Sequence, residues 1–210
     1  MFAGIRSHRV VAMRPGATLI FLDANVLFSR TLRDWFALIS KRSGANGIEL
    51  RWSEDALVEW LYNLRRTAPG KNDSGIGGLR RNLEAAFPNA LVSGYVVGPE
   101  LLEGDDKFDA HVLAAADHGC ADYLVTDNTS DFAPFKDAFG YEIYDSDEML
   151  CLILERRPDA VKGALLDNLA YWSGKPDAKD LVEALIDAGA PQFADGIKRL
   201  RSALAMSGKY

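Results

Sequence analysis

Between residues 17 and 144 short apolar runs alternate with stretches of helical periodicity, and no later run of that kind follows. The first run, ATLIFL at 17–22, stops at an acid, Asp23. A run so short and so uniformly apolar is what a strand buried on both faces of a parallel sheet requires. Helical spacing follows at Leu32, Trp35, Phe36 and Ile39, then a second run at 48–52 leads to Ser53, a predicted N-cap with Glu54 and Asp55 in the first turn. The helix after it carries Leu57, Trp60, Leu61 and Leu64 on one stripe. Residues 69–78 read as a Gly/Asn/Ser loop before a helix over about 79–87, and residues 91–97 as a third strand. A helix from about 109 to 118 is closed by Gly119, and strands at 122–126 and 141–144 complete the series. Strands alternating with helices predict an α/β fold, a parallel sheet covered on both faces in three layers.

After Ser146 the pattern changes to helices alone, at 147–156, 159–172, 178–188 and 192–205, with Pro158, Pro176 and Pro191 marking their starts. The reading is a first domain over 1–148 and an all-helical C-terminal extension over 149–210. The extension carries apolar stripes (Leu165, Leu166, Leu169 and Trp172; Leu181, Leu185 and Ile186) that demand burial on the first domain or on a second subunit.

Acids fall at equivalent places along this pattern. Asp23 ends the first strand, Glu59 lies on the helix after the second, Asp109 begins the helix after the third, and Asp127 and Asp131 follow the fourth, with Asn128 between them. Open α/β sheets bind ligands beyond the carboxyl ends of their strands, so these groups are expected to converge there. Clustered carboxylates repel unless a cation sits among them, and small hard cations such as magnesium take oxygen ligands. Each acid has a plainer role as well: Asp23 with Asn25 as a turn, Asp109 as a helix N-cap, Glu59 as a solvated helix residue, Asp127 and Asp131 as loop and cap residues. What distinguishes the metal reading is the whole set in order at one sheet edge. Asp105 and Asp106 divide between outer metal ligands and an exposed acidic loop.

The formal net charge of −6 speaks against a protein that coats nucleic acid through a general basic surface, though not against a nuclease with an acidic centre. Any RNA contact must be local, at Arg30/Arg33, Arg65/Arg66, Arg80/Arg81 or Lys198/Arg199/Arg201, pairs that also suit a solvated helix face. Nothing apolar reaches the roughly 18 residues a membrane span needs, and residues 1–16 lack the apolar core and cleavage site of a signal peptide. Cys120 and Cys151, without metal-like spacing, read as two buried, reduced thiols of a cytoplasmic protein. His111 and His118 fit helix packing and a helix C-terminus better than acid–base chemistry. Gly75, Gly77 and Gly78 follow no strand and lack the Lys-Ser/Thr ending of a phosphate-binding loop.

FLDANVLFS at 21–29 resembles the opening motif of PIN domains, and DAHVLAAADHGCADYLVTDNTSDF at 109–132 is similar to the stretch that carries the third and fourth acidic motifs in VapC-type toxins. With Glu59 between them, the resemblance covers about 18–145, and the C-terminal helices resemble the extension of a longer VapC subgroup. It implies a magnesium- or manganese-dependent ribonuclease, the toxin of a toxin–antitoxin pair with a cognate antitoxin, commonly a homodimer. Asp23 matches the first acid, Glu59 the second and Asp109 the third. The fourth departs: Asn128 stands where the family often has an acid, leaving Asp131 or Asp127 for that place, with Asn25, Thr126 and Asn128 in support. Two rivals remain. One is an inert PIN-like module that binds RNA or a partner. The other is a phosphatase of the haloacid-dehalogenase type, whose chemistry asks for an Asp where this chain has Asn25.

Overall fold

The computed structural model describes residues 16–67, 70, 72–101, 109–175 and 179–206. Its strands, β1 (Thr18–Leu22), β2 (Ile48–Ser53), β3 (Leu91–Val92), β4 (Tyr123–Val125) and β5 (Glu142–Tyr144), form one sheet in the order β3-β2-β1-β4-β5. Every pairing is parallel, with Ile20 beside both Leu50 and Tyr123. The chain first builds outward from β1 through β2 to β3, then returns to add β4 and β5 on the other side. Strand order therefore reverses between β1 and β4, and the carboxyl ends of these two strands flank the crevice where such sheets bind ligands.

The apolar run of β1 is explained by its central place. Ile20 and Leu22 enter the core on one face of the sheet, Phe21 that on the other, and all three are buried. The narrower face is covered by α5 (Ala110–His118), whose Ala114, Ala115 and Ala116 let it lie close to the strands. Gly119 belongs to the same close approach, since a Cβ there would stand 2.8 Å from Val92 Cγ2. The left-handed residue that ends the turn is Cys120, with φ 52°, and this position leaves its thiol exposed where burial was expected, while Cys151 is half-buried.

The broader face carries α1 (Ala24–Phe28), α2 (Arg30–Arg42), α3 (Glu54–Thr67) and α4 (Asp73–Ala86). Ser53 Oγ accepts the Ala56 N–H and caps α3 as expected. Helix α4 begins earlier than its sequence suggests and absorbs Gly75, Gly77 and Gly78. Asn72 caps it through the Gly75 N–H at 2.8 Å, and burial of Ile76 and Leu83 on one stripe offsets the roughly 1 kcal/mol that each helical glycine costs. The strand expected over 91–97 is only Leu91–Val92, because Gly94 takes φ 81° and turns the chain out of the sheet.

A short α6 (Thr129–Phe132) lies between β4 and β5. After β5 the helices α7 (Ser146–Arg156), α8 (Pro158–Trp172), α9 (Leu181–Asp187) and α10 (Pro191–Met206) follow without strands between them, Pro158 and Pro191 opening their helices. Pro176 lies outside the described residues. These helices pack on the broad face in a single apolar cluster with β1, β2 and α2. Trp35 meets Phe193 edge-on at 5.1 Å, and the boundary expected at 148/149 falls inside α7. Asp147, buried in the first turn of α7, accepts the N–H groups of Gln192 at 3.0 Å and Phe193 at 2.8 Å, capping α10 from another helix.

Candidate active site

Leaving β1, the chain stays extended at Asp23 (φ −73°, ψ 163°) and enters α1. The Asp23 N–H still donates to Val125 O at 3.0 Å, a last rung that holds the ends of β1 and β4 together. The residue is 6 % exposed, with Oδ1 accepting the Ala24 N–H at 2.6 Å. Oδ2 accepts from Asn25 Nδ2 and from the Thr126 hydroxyl, each at 2.8 Å. Thr126 is buried, and its oxygen also accepts from Asn25 Nδ2 at 3.0 Å and from the Asn128 N–H at 3.2 Å. Asn25 Oδ1 in turn accepts the Asp127 N–H at 3.2 Å. Segments about a hundred residues apart in sequence are thus tied side chain to side chain around Asp23, and Asn25, Thr126 and Asn128 all take part.

The electrostatics add two further acids. Burial raises the Asp23 carboxyl from 3.8 to about 6, against the lowering effect of the Thr126 and Ala24 hydrogen bonds, and the negative charges of Glu59 and Asp109 push it the same way as burial. Glu59 reaches this position because α3 buries Ala56, Leu57 and Trp60 and turns Glu59 outward. Among the described residues its carboxylate makes no hydrogen bond or ion pair. Asp109 is half-buried at the start of α5, and its side chain makes no capping hydrogen bond, so the plain N-cap role is not the one it fills.

The two candidates for the fourth place are engaged elsewhere. Asp127 Oδ1 accepts the Ser146 N–H at 3.0 Å, at the start of α7. Asp131 accepts from Asn128 Nδ2 and, at 3.1 Å, from Ser130 Oγ, within its own turn. Among the described residues no three His, Cys, Asp or Glu side chains stand close enough to hold a metal ion directly. Asp105 and Asp106 lie outside those residues. The donors near Asp23 are nonetheless hard oxygens with mutually repelling charges. Magnesium, which commonly keeps several waters and uses one or two carboxylates, suits such a set.

The basic clusters are mostly spoken for. Arg65 pairs with Asp73, Arg80 with Glu54 and Glu84, Arg201 with Asp180, and Arg33 donates to Leu27 O at 2.6 Å beside Trp60. His118 is exposed at the end of α5, and the three glycines sit inside α4, where they form no phosphate loop. Two contacts had no sequence signal. Tyr95, in the expected third strand, donates its hydroxyl to Asp55 at the start of α3, and burial with that bond raises the phenol to about 12. The Asp147 cap joins residues 45 apart in a way no local pattern announces.

Family models, curated proteins and solved structures were compared with the chain, and none matches. Among the described residues no helix is long and apolar enough to cross a membrane.

Proposed function

We propose that this chain is a magnesium- or manganese-dependent endoribonuclease, acting in the cytoplasm as the toxin of a toxin–antitoxin pair and commonly a homodimer, as its resemblance to PIN domains implies. The observation that carries the proposal is the buried Asp23 carboxylate at the reversal of strand order, with the charges of Glu59 and Asp109 acting on it. Asp23, Glu59 and Asp109 are the residues that would hold the ion, with Asp131 or Asp127 for the fourth place. Once bound, the ion supplies charge neutralisation at a phosphodiester and a more acidic water.

The chain's own residues set the orientation of the donor. An ionised carboxylate offers about four lone-pair positions, and the hydrogen-bond donors among the described residues take three of them on Asp23, two on Oδ2 and one on Oδ1. The position left over is on Oδ1, the oxygen not held by Asn25 and Thr126. These two residues therefore fix the plane of the carboxylate and leave one oxygen for ligation.

Asn25 also weighs against the phosphatase reading, since an amide is far too weakly acidic to serve as a general acid and its N–H groups are engaged by Asp23 and Thr126. An inert binding module is favoured by one observation, the engagement of Asp127 and Asp131 away from Asp23. Incubation of structured RNA with magnesium, with and without excess chelator, separates the readings. Cleavage that the chelator abolishes supports the nuclease, cleavage undiminished by it excludes the metal mechanism, and binding without turnover supports the inert module.

A further inference from the structure

Helix α3 presents one more ordered row of side chains. At about 100° per residue, Asp55, Glu59, Tyr62 and Arg66 fall within roughly 60° of one another, and all four are exposed. Tyr62 is 63 % exposed, and Val58 beside it is 54 % exposed, so the row has an apolar flank that is left open among the described residues. The acids of the first turn are already held by hydrogen bonds. Asp55 is bound by the Tyr95 hydroxyl, and Glu54 receives two hydrogen bonds from Arg80, each at 2.8 Å. At the other end Arg66 forms no ion pair among the described residues. Moving away from Glu59, the face thus changes from carboxylate to aromatic ring to unpaired cation over about 10 Å, a span of roughly three stacked nucleotide steps.

We propose that this face of α3 is the track for single-stranded RNA next to the cleavage site, with Tyr62 stacking a base beside the scissile phosphate and Arg66 contacting a phosphate further along. Aromatic platforms alternating with cations bind single strands with little regard to sequence, because every base has a π-face. The charge order favours a nucleic acid here: an acidic centre that takes metal ions at one end, a cation for the backbone at the other, and a flat ring between them. A duplex has no unstacked base to offer Tyr62, so the track selects against fully paired RNA.

This inference rests on the ribonuclease reading, and one experiment distinguishes the failure of each. Single-turnover cleavage with magnesium would be measured for the wild-type chain, Tyr62→Ala, Tyr62→Phe and Arg66→Gln, on a mixed-sequence single-stranded oligoribonucleotide and on the same strand fully paired. The expected result is cleavage of the single strand over the duplex. Tyr62→Ala raises the half-saturating concentration about tenfold with the maximal rate within about twofold, and Tyr62→Phe behaves as wild type. Arg66→Gln lowers the salt dependence of binding by about one phosphate contact. Cleavage by the wild type with Tyr62→Ala saturating at the same concentration overturns the track and leaves the nuclease standing. No cleavage by the wild type overturns both.

Discussion

In the metal-free protein the proton on Asp23 leaves a thermodynamic signature. The folded chain holds it up to about pH 6, whereas an unfolded chain releases it near 3.8. Between those values the native state binds more protons than the unfolded one, so stability falls as pH rises, and the loss levels off above about pH 6. At 1.36 kcal/mol per pH unit the total is about 3 kcal/mol. Urea denaturation from pH 4 to 7 should show this fall in the wild type and a flatter profile in Asp23→Asn, whose side chain does not ionise. Equal slopes for the two proteins would mean that Asp23 is not the group responsible. The same substitution, like Asp109→Asn, should lower RNA cleavage by on the order of a hundredfold or more while the chain stays folded. Near-wild-type turnover by folded Asp23→Asn would remove this site from consideration. Thr126 supplies the hydroxyl that favours the charged carboxylate and accepts two N–H donors. Thr126→Val should cost about 1–3 kcal/mol, more at pH 7 than at pH 5 because its bond to Asp23 favours the ionised form, and paired denaturation curves would show it.

Among the elements, α4 and α10 give the sharpest tests. Gly78 lies in the interior of α4, and a Cβ there would meet only Arg81 Nη2, at 3.7 Å. Gly78→Ala should therefore stabilise the chain by up to about 1 kcal/mol in thermal melts, a gain that a flexible loop over 69–78 would not give. Asp147→Ala should destabilise by about 1–3 kcal/mol, since it strips the acceptor from two N–H groups at the start of α10. How much of this was readable depends on the range of the interaction. The strands β1, β2 and β4 announce themselves as short apolar runs and the helices α2, α3 and α5 through a period of 3.6 residues, because one local pattern decides each. The start of α4 did not, since its glycines disfavour a helix locally and only the burial of Ile76, and of Leu83 in the core cluster, reverses that. Asp23 and Asp109 stood out by position. The bond from Asp23 to Thr126 spans 103 residues, and the engagement of Asp127 with Ser146 depends on where α7 begins, so neither could be read from composition or spacing.

For the molecule as a whole, the C-terminal helices are part of the same core as the sheet. Val161, Leu165, Phe193 and Ile197 are fully buried in the cluster that holds Ile20 and Leu22. A chain ending at Arg156 would leave the broad face of β1 and α2 open, and it should show weak, non-cooperative unfolding by calorimetry instead of a single transition. A sharp transition close to that of the full chain would show the extension to be independent. The strand order has a further consequence in time. As the chain leaves the ribosome, Asp23 emerges about a hundred residues before its partner Thr126, and the helices that close the face over β1 follow both. A nascent chain stalled after Arg156 should therefore stay open to protease. The nuclease proposed above, assembled in this order, would have no complete site until Thr126 has joined Asp23 and the helices through α10 have closed over β1.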